Sequence, residues 1–127
     1  MNRWLLIAAG GAFGSVMRCA MQGWVQRLAG GSFPLGTLAV NVLGCLLIGF
    51  LTAVFTGPVL IREEYRLGLT VGILGGFTTF STFGLESFTL INSGQFGFAA
   101  LNVALSCGLG ILGVWAGYRV GEYWYGV

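Results

Sequence analysis

Four long apolar runs dominate the chain, and short polar interruptions separate them. Residues 4–25, 35–55, 67–91 and 96–120 each approach the length a helix needs to cross a bilayer, about 20 mostly apolar residues. Turn-forming residues mark the connections: Gly30-Gly31-Ser32-Phe33-Pro34, then Gly57-Pro58 with Arg62-Glu63-Glu64, then Asn92-Ser93-Gly94. Trp4, Trp24, Tyr65, Tyr118, Tyr123, Trp124 and Tyr125 gather at the ends of the runs, as in an interfacial aromatic belt. The pattern predicts an all-α, multi-pass membrane protein of four transmembrane helices in one domain, residues 1–127. Apolar character continues past Gly14, so the first run reads as a span and not as a cleaved leader.

Composition strengthens this reading. Hydrophobic residues make up 56% of the chain and charged residues 8%, against about 25% charged in soluble domains. Four spans place both termini on one side together with Arg3, Arg62, Arg66 and Arg119, while Arg27 and Arg18 belong to the other. That bias favours cytoplasmic termini in the cell (inner or plasma) membrane. The net charge of +2 comes without a basic tract, which gives nucleic acid nothing to bind. There is no His, so hydrolase and zinc chemistry lack their usual bases and ligands. Cys19, Cys45 and Cys107 fit no metal or redox spacing and read as small packing residues.

Glycines recur every four residues at Gly68, Gly72 and Gly76, at Gly113, Gly117 and Gly121, and at Gly10 and Gly14. Such stripes let helices approach closely in lipid, where no hydrophobic drive pairs them. They also make self-association plausible.

The third run carries the candidate site. Gly75-Gly76-Phe77-Thr78-Thr79 is weak helix-forming sequence, and a break is expected at residues 75–79. Freed carbonyls there could hold a cation, while the start of the resuming helix is electropositive. Beyond the break, Phe80 and Phe83 share a face, and Thr79, Thr82 and Glu86 form a stripe. Two stacked rings with positive edges turned inward, flanked by hydroxyls, would suit a small anion. Alone, the phenylalanines would read as packing or lipid-facing residues. Arg18 either snorkels to the interface, pairs with Glu86, or concentrates anions at a pore mouth. Asn41 and Asn102 either bond neighbouring helices or face a polar path.

The run Gly75 to Phe83, with Gly10-Gly11 to Arg18 and Gly36-Thr37 to Asn41, resembles the CrcB/Fluc family of fluoride ion channels. The likeness covers essentially the whole chain. It implies a passive, fluoride-selective channel, not an enzyme, that exports fluoride and relieves its toxicity. It implies an antiparallel homodimer of dual topology with two pores and a buried structural sodium ion (Na+). Matched by position, the sodium is held by the backbone carbonyls of Gly75 and Thr78, and the pore phenylalanines are Phe80 and Phe83. Asn41 is the polar contact of the second span and Arg18 the vestibule arginine. Ser81, Thr82 and Glu86 lie beside the ion path. A small multidrug-type, proton-coupled cation exporter shares the four-span outline but needs an acid in its first span, where this chain has Arg18. A non-transporting scaffold would leave the hydroxyls around the phenylalanines without a role.

Overall fold

The computed structural model describes residues 2–57 and 59–125, so Pro58 of the expected second connection lies outside the described residues. Its regular structure is entirely helical: α1 (Arg3–Ala29), α2 (Leu35–Thr56), α3 (Glu63–Leu67), a π-helical stretch (Gly68–Leu74), α4 (Gly75–Phe77), α5 (Phe80–Asn92) and α6 (Phe96–Tyr125). α3, the π-helical stretch, α4 and α5 follow one another along a single composite third span. All four spans are long and apolar enough to cross a membrane.

The helices outrun the apolar limits read from sequence. α1 continues to Ala29, the third span starts at Glu63, and α6 reaches Tyr125. Hydropathy marks the hydrocarbon layer, whereas backbone hydrogen bonding persists into the polar interface. α1 stops where the backbone turns left-handed, at Gly30 (φ 67°) and Gly31 (φ 73°). The Gly30 N–H then donates to the Gln26 carbonyl at 2.9 Å.

Two glycine-mediated pairs of parallel helices build the bundle. α1 packs along the π-helical stretch and α4. A methyl group on Gly10 would lie 2.6 Å from the Gly68 carbonyl oxygen, and one on Gly76 2.6 Å from that of Gly11. α2 packs along α6, where a methyl group on Gly49 would collide with the Val114 carbonyl and one on Gly117 with that of Leu46. The expected close packing is therefore realised, and it is backbone against backbone. Two contacts tie the first connection down on the far side: Ser32 Oγ donates to Gln95 Oε1 of the last connection at 2.7 Å, and Phe33 meets Phe98 of α6 edge to face at 5.4 Å. Large apolar side chains such as Trp4, Val16, Leu28, Ile111 and Trp115 are exposed, as a lipid-facing surface requires.

Candidate functional site

The third span breaks, but not at its glycines. Gly75 and Gly76 are helical, and the chain becomes extended at Thr78 (φ −90°, ψ 157°) and Thr79 (φ −149°, ψ 121°). The extended residues lie within the expected stretch, 75–79. Tertiary contact keeps Gly76 helical despite its low propensity, because its missing side chain lets Gly11 and Ser15 of α1 approach. The threonines make the break by bonding locally. Thr78 sends both its N–H (3.0 Å) and its hydroxyl (2.9 Å) back to the Leu74 carbonyl. Thr79 faces forward: its hydroxyl oxygen accepts the Thr82 N–H at 3.2 Å and caps α5. Upstream, the wider π-helical turns end with the Gly75 N–H shared between the Thr70 and Gly72 carbonyls. Such turns often accompany functional sites.

α2 holds the break in place. Asn41 Nδ2 donates to the Thr79 carbonyl at 2.9 Å, and the Thr79 N–H donates to Asn41 Oδ1 at 2.7 Å. Gly44, one turn along α2, makes room for the methyl group of Thr78, which a side chain there would strike. From the other side, Arg18 Nε donates to the Gly76 carbonyl at 3.1 Å. Arg18 is thus an anchor of the break, and no ion pair with Glu86 forms among the described residues. The carbonyls of Gly75 and Thr78 accept from no donor among the described residues.

A cavity of about 360 Å³ opens against the break. Asn41, Gly44, Cys45 and Ile48 line it from α2, and Ser106 and Cys107 from α6. The third span contributes Thr70, Leu74, Gly75, Thr78, Thr79, Phe80 and Phe83. No charged side chain belongs to this lining. The Phe80 and Phe83 rings are 5.5 Å apart and inclined at 45°, so they are tilted and not stacked as expected. The Phe80 ring is 82% exposed, at the rim of the cavity.

Six expected site residues therefore meet at one cavity: Asn41, Gly75, Thr78, Thr79, Phe80 and Phe83. Ser81, Thr82, Glu86 and Arg18 lie outside its lining. The Thr79 hydroxyl nevertheless reaches Thr82 Oγ1 at 3.1 Å and Ser81 Oγ at 3.4 Å. The stripe of Thr79, Thr82 and Glu86 leads away along α5. Glu86 Oε1 is buried without a hydrogen-bond partner among the described residues, and Thr37 of α2 stands beside this carboxylate.

Sequence reasoning missed two polar features. Gln22 Nε2 donates to Thr37 Oγ1 at 2.7 Å. Gln26 Oε1 accepts the Gly36 N–H at 3.0 Å and caps the start of α2. For Asn102 the structure selects the first of its two readings, a bond to a neighbouring helix: 2% exposed, it donates to Ser87 Oγ of α5 at 3.0 Å and accepts from Ser106 at 3.4 Å. Gln22 and Gln26 are spaced four apart near the end of an apolar run, and that spacing was the available signal.

The sequence has close relatives. Proteins named fluoride-specific ion channel FluC from three bacteria align over nearly their whole length. The Geobacter sulfurreducens protein is 51% identical over 117 residues, covering 92% of this chain and 94% of its own. That of Maridesulfovibrio salexigens is 43% identical over 122 residues, covering 96% and 97%. That of Rhizobium etli is 45% identical over 116 residues, covering 91% and 93%. The family model described as CrcB-like protein, Camphor Resistance (CrcB), matches residues 5–118. With that match, and with relatives of this identity along the same four spans, the chain belongs to the CrcB-like family.

Proposed function

We propose that this chain is a passive, fluoride-selective channel, not an enzyme, that lets fluoride leave the cell across its plasma (inner) membrane and so relieves fluoride toxicity. One observation carries the reading: an uncharged cavity at the broken third helix, where the Asn41 amide, the Thr79 hydroxyl and the edges of Phe80 and Phe83 converge. The names of its relatives point the same way.

Fluoride is small and strongly hydrated, so a pore must replace its water with real donors. Asn41 uses one amide N–H on Thr79 and has a second to offer. The aromatic edges supply weaker positive potential, and the capped start of α5 adds the positive end of a helix dipole. A lining without Arg or Lys attracts the anion without trapping it, a condition for conduction. Arg18, bound to the break, raises the local anion concentration from outside the lining. Ser81, Thr82 and Glu86 continue the polar path along α5.

In this reading the working unit is two copies in inverted orientation, enclosing two pores. The exposed Phe80 ring and the open side of the cavity support it, since each copy leaves its site half-built. The undonated carbonyls of Gly75 and Thr78 suit a hard cation, which takes oxygen ligands. A sodium ion held by these carbonyls from both copies would join the two breaks and add positive potential.

The test is ion efflux from liposomes containing the purified protein. Fluoride efflux without chloride efflux is expected, and Phe80→Ile is expected to abolish it. Comparable chloride efflux would sink the selectivity claim.

A further inference from the structure

Three polar side chains from three spans meet on the far side of the bundle, and the path described above uses only one of them, Glu86. Gly36 lets α2 touch α1, since a methyl group there would strike the Gln22 carbonyl. At this crossing Gln22 Nε2 donates to Thr37 Oγ1 at 2.7 Å. Gln26, one turn further along α1, fixes the same corner by accepting the Gly36 N–H and donating to the Phe33 carbonyl, both at 3.0 Å. Thr37 is 3% exposed and differs from other threonines of the spans. Thr52, Thr70, Thr78 and Thr89 each give their hydroxyl proton to the carbonyl four residues earlier. For Thr37 that carbonyl belongs to Phe33, and its two lone pairs already accept from the Leu35 N–H at 2.9 Å and from Gln26. The proton of Thr37 therefore needs another acceptor. The Glu86 carboxylate stands beside it, with Oε1 buried and without a hydrogen-bond partner among the described residues.

We propose that Gln22 is a positioning residue for the ion path, which directs the Thr37 hydroxyl proton onto Glu86 and so ties that carboxylate to α2. A hydroxyl has one proton and two acceptor sites. The Gln22 amide N–H occupies an acceptor site and turns the proton away from α1. A hydrogen bond from Thr37 to an ionised carboxylate is of the stronger, charge-assisted kind, and it holds the Glu86 side chain in one rotamer. The role in conduction rests on the channel reading, in which Glu86 lies beside the fluoride path. An untethered carboxylate there swings its negative charge toward the anion, whereas a tethered one leaves the way open. Gln22 is not part of the cavity lining and acts through Thr37.

The chain's only glutamates are Glu63, Glu64, Glu86 and Glu122. Protein labelled at the glutamate carboxyl carbon therefore gives few NMR resonances, and Glu86→Gln assigns the one in question. Gln22→Met keeps the length of the side chain and removes the donor, and Thr37→Val keeps the shape and removes the hydroxyl. Both are expected to move the Glu86 carboxyl resonance in the same direction and to leave the others in place. A Glu86 resonance unmoved by either variant, or a general shift of all the carboxyls, would overturn the tether. This readout needs no ion flux, so it stands apart from the channel reading. In liposomes each variant should slow fluoride efflux about tenfold, as for the loss of one hydrogen bond, and the double variant should be no slower than either alone. Losses that compound in the double variant, or wild-type efflux despite a moved resonance, would overturn the positioning role. Absence of fluoride efflux from the wild-type protein would overturn the channel reading and with it the role in conduction, while the tether would stand on the resonance.

Discussion

Asn41 grips Thr79 by both of its backbone polar groups, accepting from its N–H at 2.7 Å and donating to its carbonyl at 2.9 Å. The side-chain amide thus replaces the helical partners that Thr79 lost when the third span broke. In lipid no water is available for that task, and an unpaired backbone group there costs several kcal/mol. Asn41 is therefore a positioning residue for the break as well as a wall of the cavity.

Asn41→Ala removes both bonds. Each orphaned backbone group costs ~1–3 kcal/mol, and the first turn of α5 loses its tether to α2. The variant should melt at a lower temperature in detergent and conduct fluoride about tenfold more slowly or worse, the equivalent of ~1.4 kcal/mol on the barrier. Asn41→Asp keeps the acceptor but turns a second oxygen toward the Thr79 carbonyl, so it should be no better than alanine. Wild-type efflux from Asn41→Ala liposomes would remove Asn41 from both roles.

Thr79 caps α5 through its hydroxyl. Thr79→Ser preserves that acceptor and should fold and conduct nearly as wild type. Thr79→Val has almost the same shape but no acceptor, and loss of an N-cap costs ~1 kcal/mol. Its first turn then frays where Phe80 and Phe83 sit. The expected signature is faster amide hydrogen exchange at residues 80–83 with the remainder of the chain protected. Equal exchange in the serine and valine variants would show that the cap does not hold the turn.

Much of this site could be read from residue order, and the rest could not, for identifiable reasons. The break was legible because glycines and hydroxyls crowd one stretch of an apolar run. Its narrowing within 75–79 to Thr78 and Thr79 was not, because propensity ranks Gly below Thr in helices. Only the approach of α1 to Gly76 shows that this glycine serves packing. The gathering of Asn41, Phe80 and Phe83 followed from a family likeness, since spacing along one helix says nothing about which residue of another helix faces it. The π-helical turns left no mark in periodicity. Glutamine caps such as Gln26 are long-range acceptors, visible only once α1 and α2 are side by side.

The glycines of the two helix pairs divide into contacts and bystanders. A methyl group on Gly14 would strike the Ile73 carbonyl, and one on Gly49 that of Val114, whereas Gly23 and Gly108 face open space. Backbone cannot yield as a flexible side chain does. Gly14→Ala and Gly49→Ala should each cost ~1–3 kcal/mol through overpacking, seen as a lower melting temperature in detergent. Gly23→Ala and Gly108→Ala should be neutral or slightly stabilising, since alanine is the better helix former. The same ranking should appear in membrane expression level. A uniform response across all four positions would contradict the packing assignment.

Asn102 presents the sharpest stability test away from the break. It is almost wholly buried between α5 and α6, donating to Ser87 and accepting from Ser106. Interhelical polar contacts of this kind contribute on average only ~0.6 kcal/mol in membranes, because the separated helices also find partners. Asn102→Ala adds a small void and leaves Ser87 without its donor, so a total loss of ~1–2 kcal/mol is expected. Ser106→Ala removes only the long outer bond and should cost less. The double variant should cost less than the sum, since Ser106 has no Asn102 carbonyl to bond once Asn102 is gone. Thermal melts of the four proteins make a complete double-mutant cycle. Strict additivity would mean that Asn102 and Ser106 are not coupled.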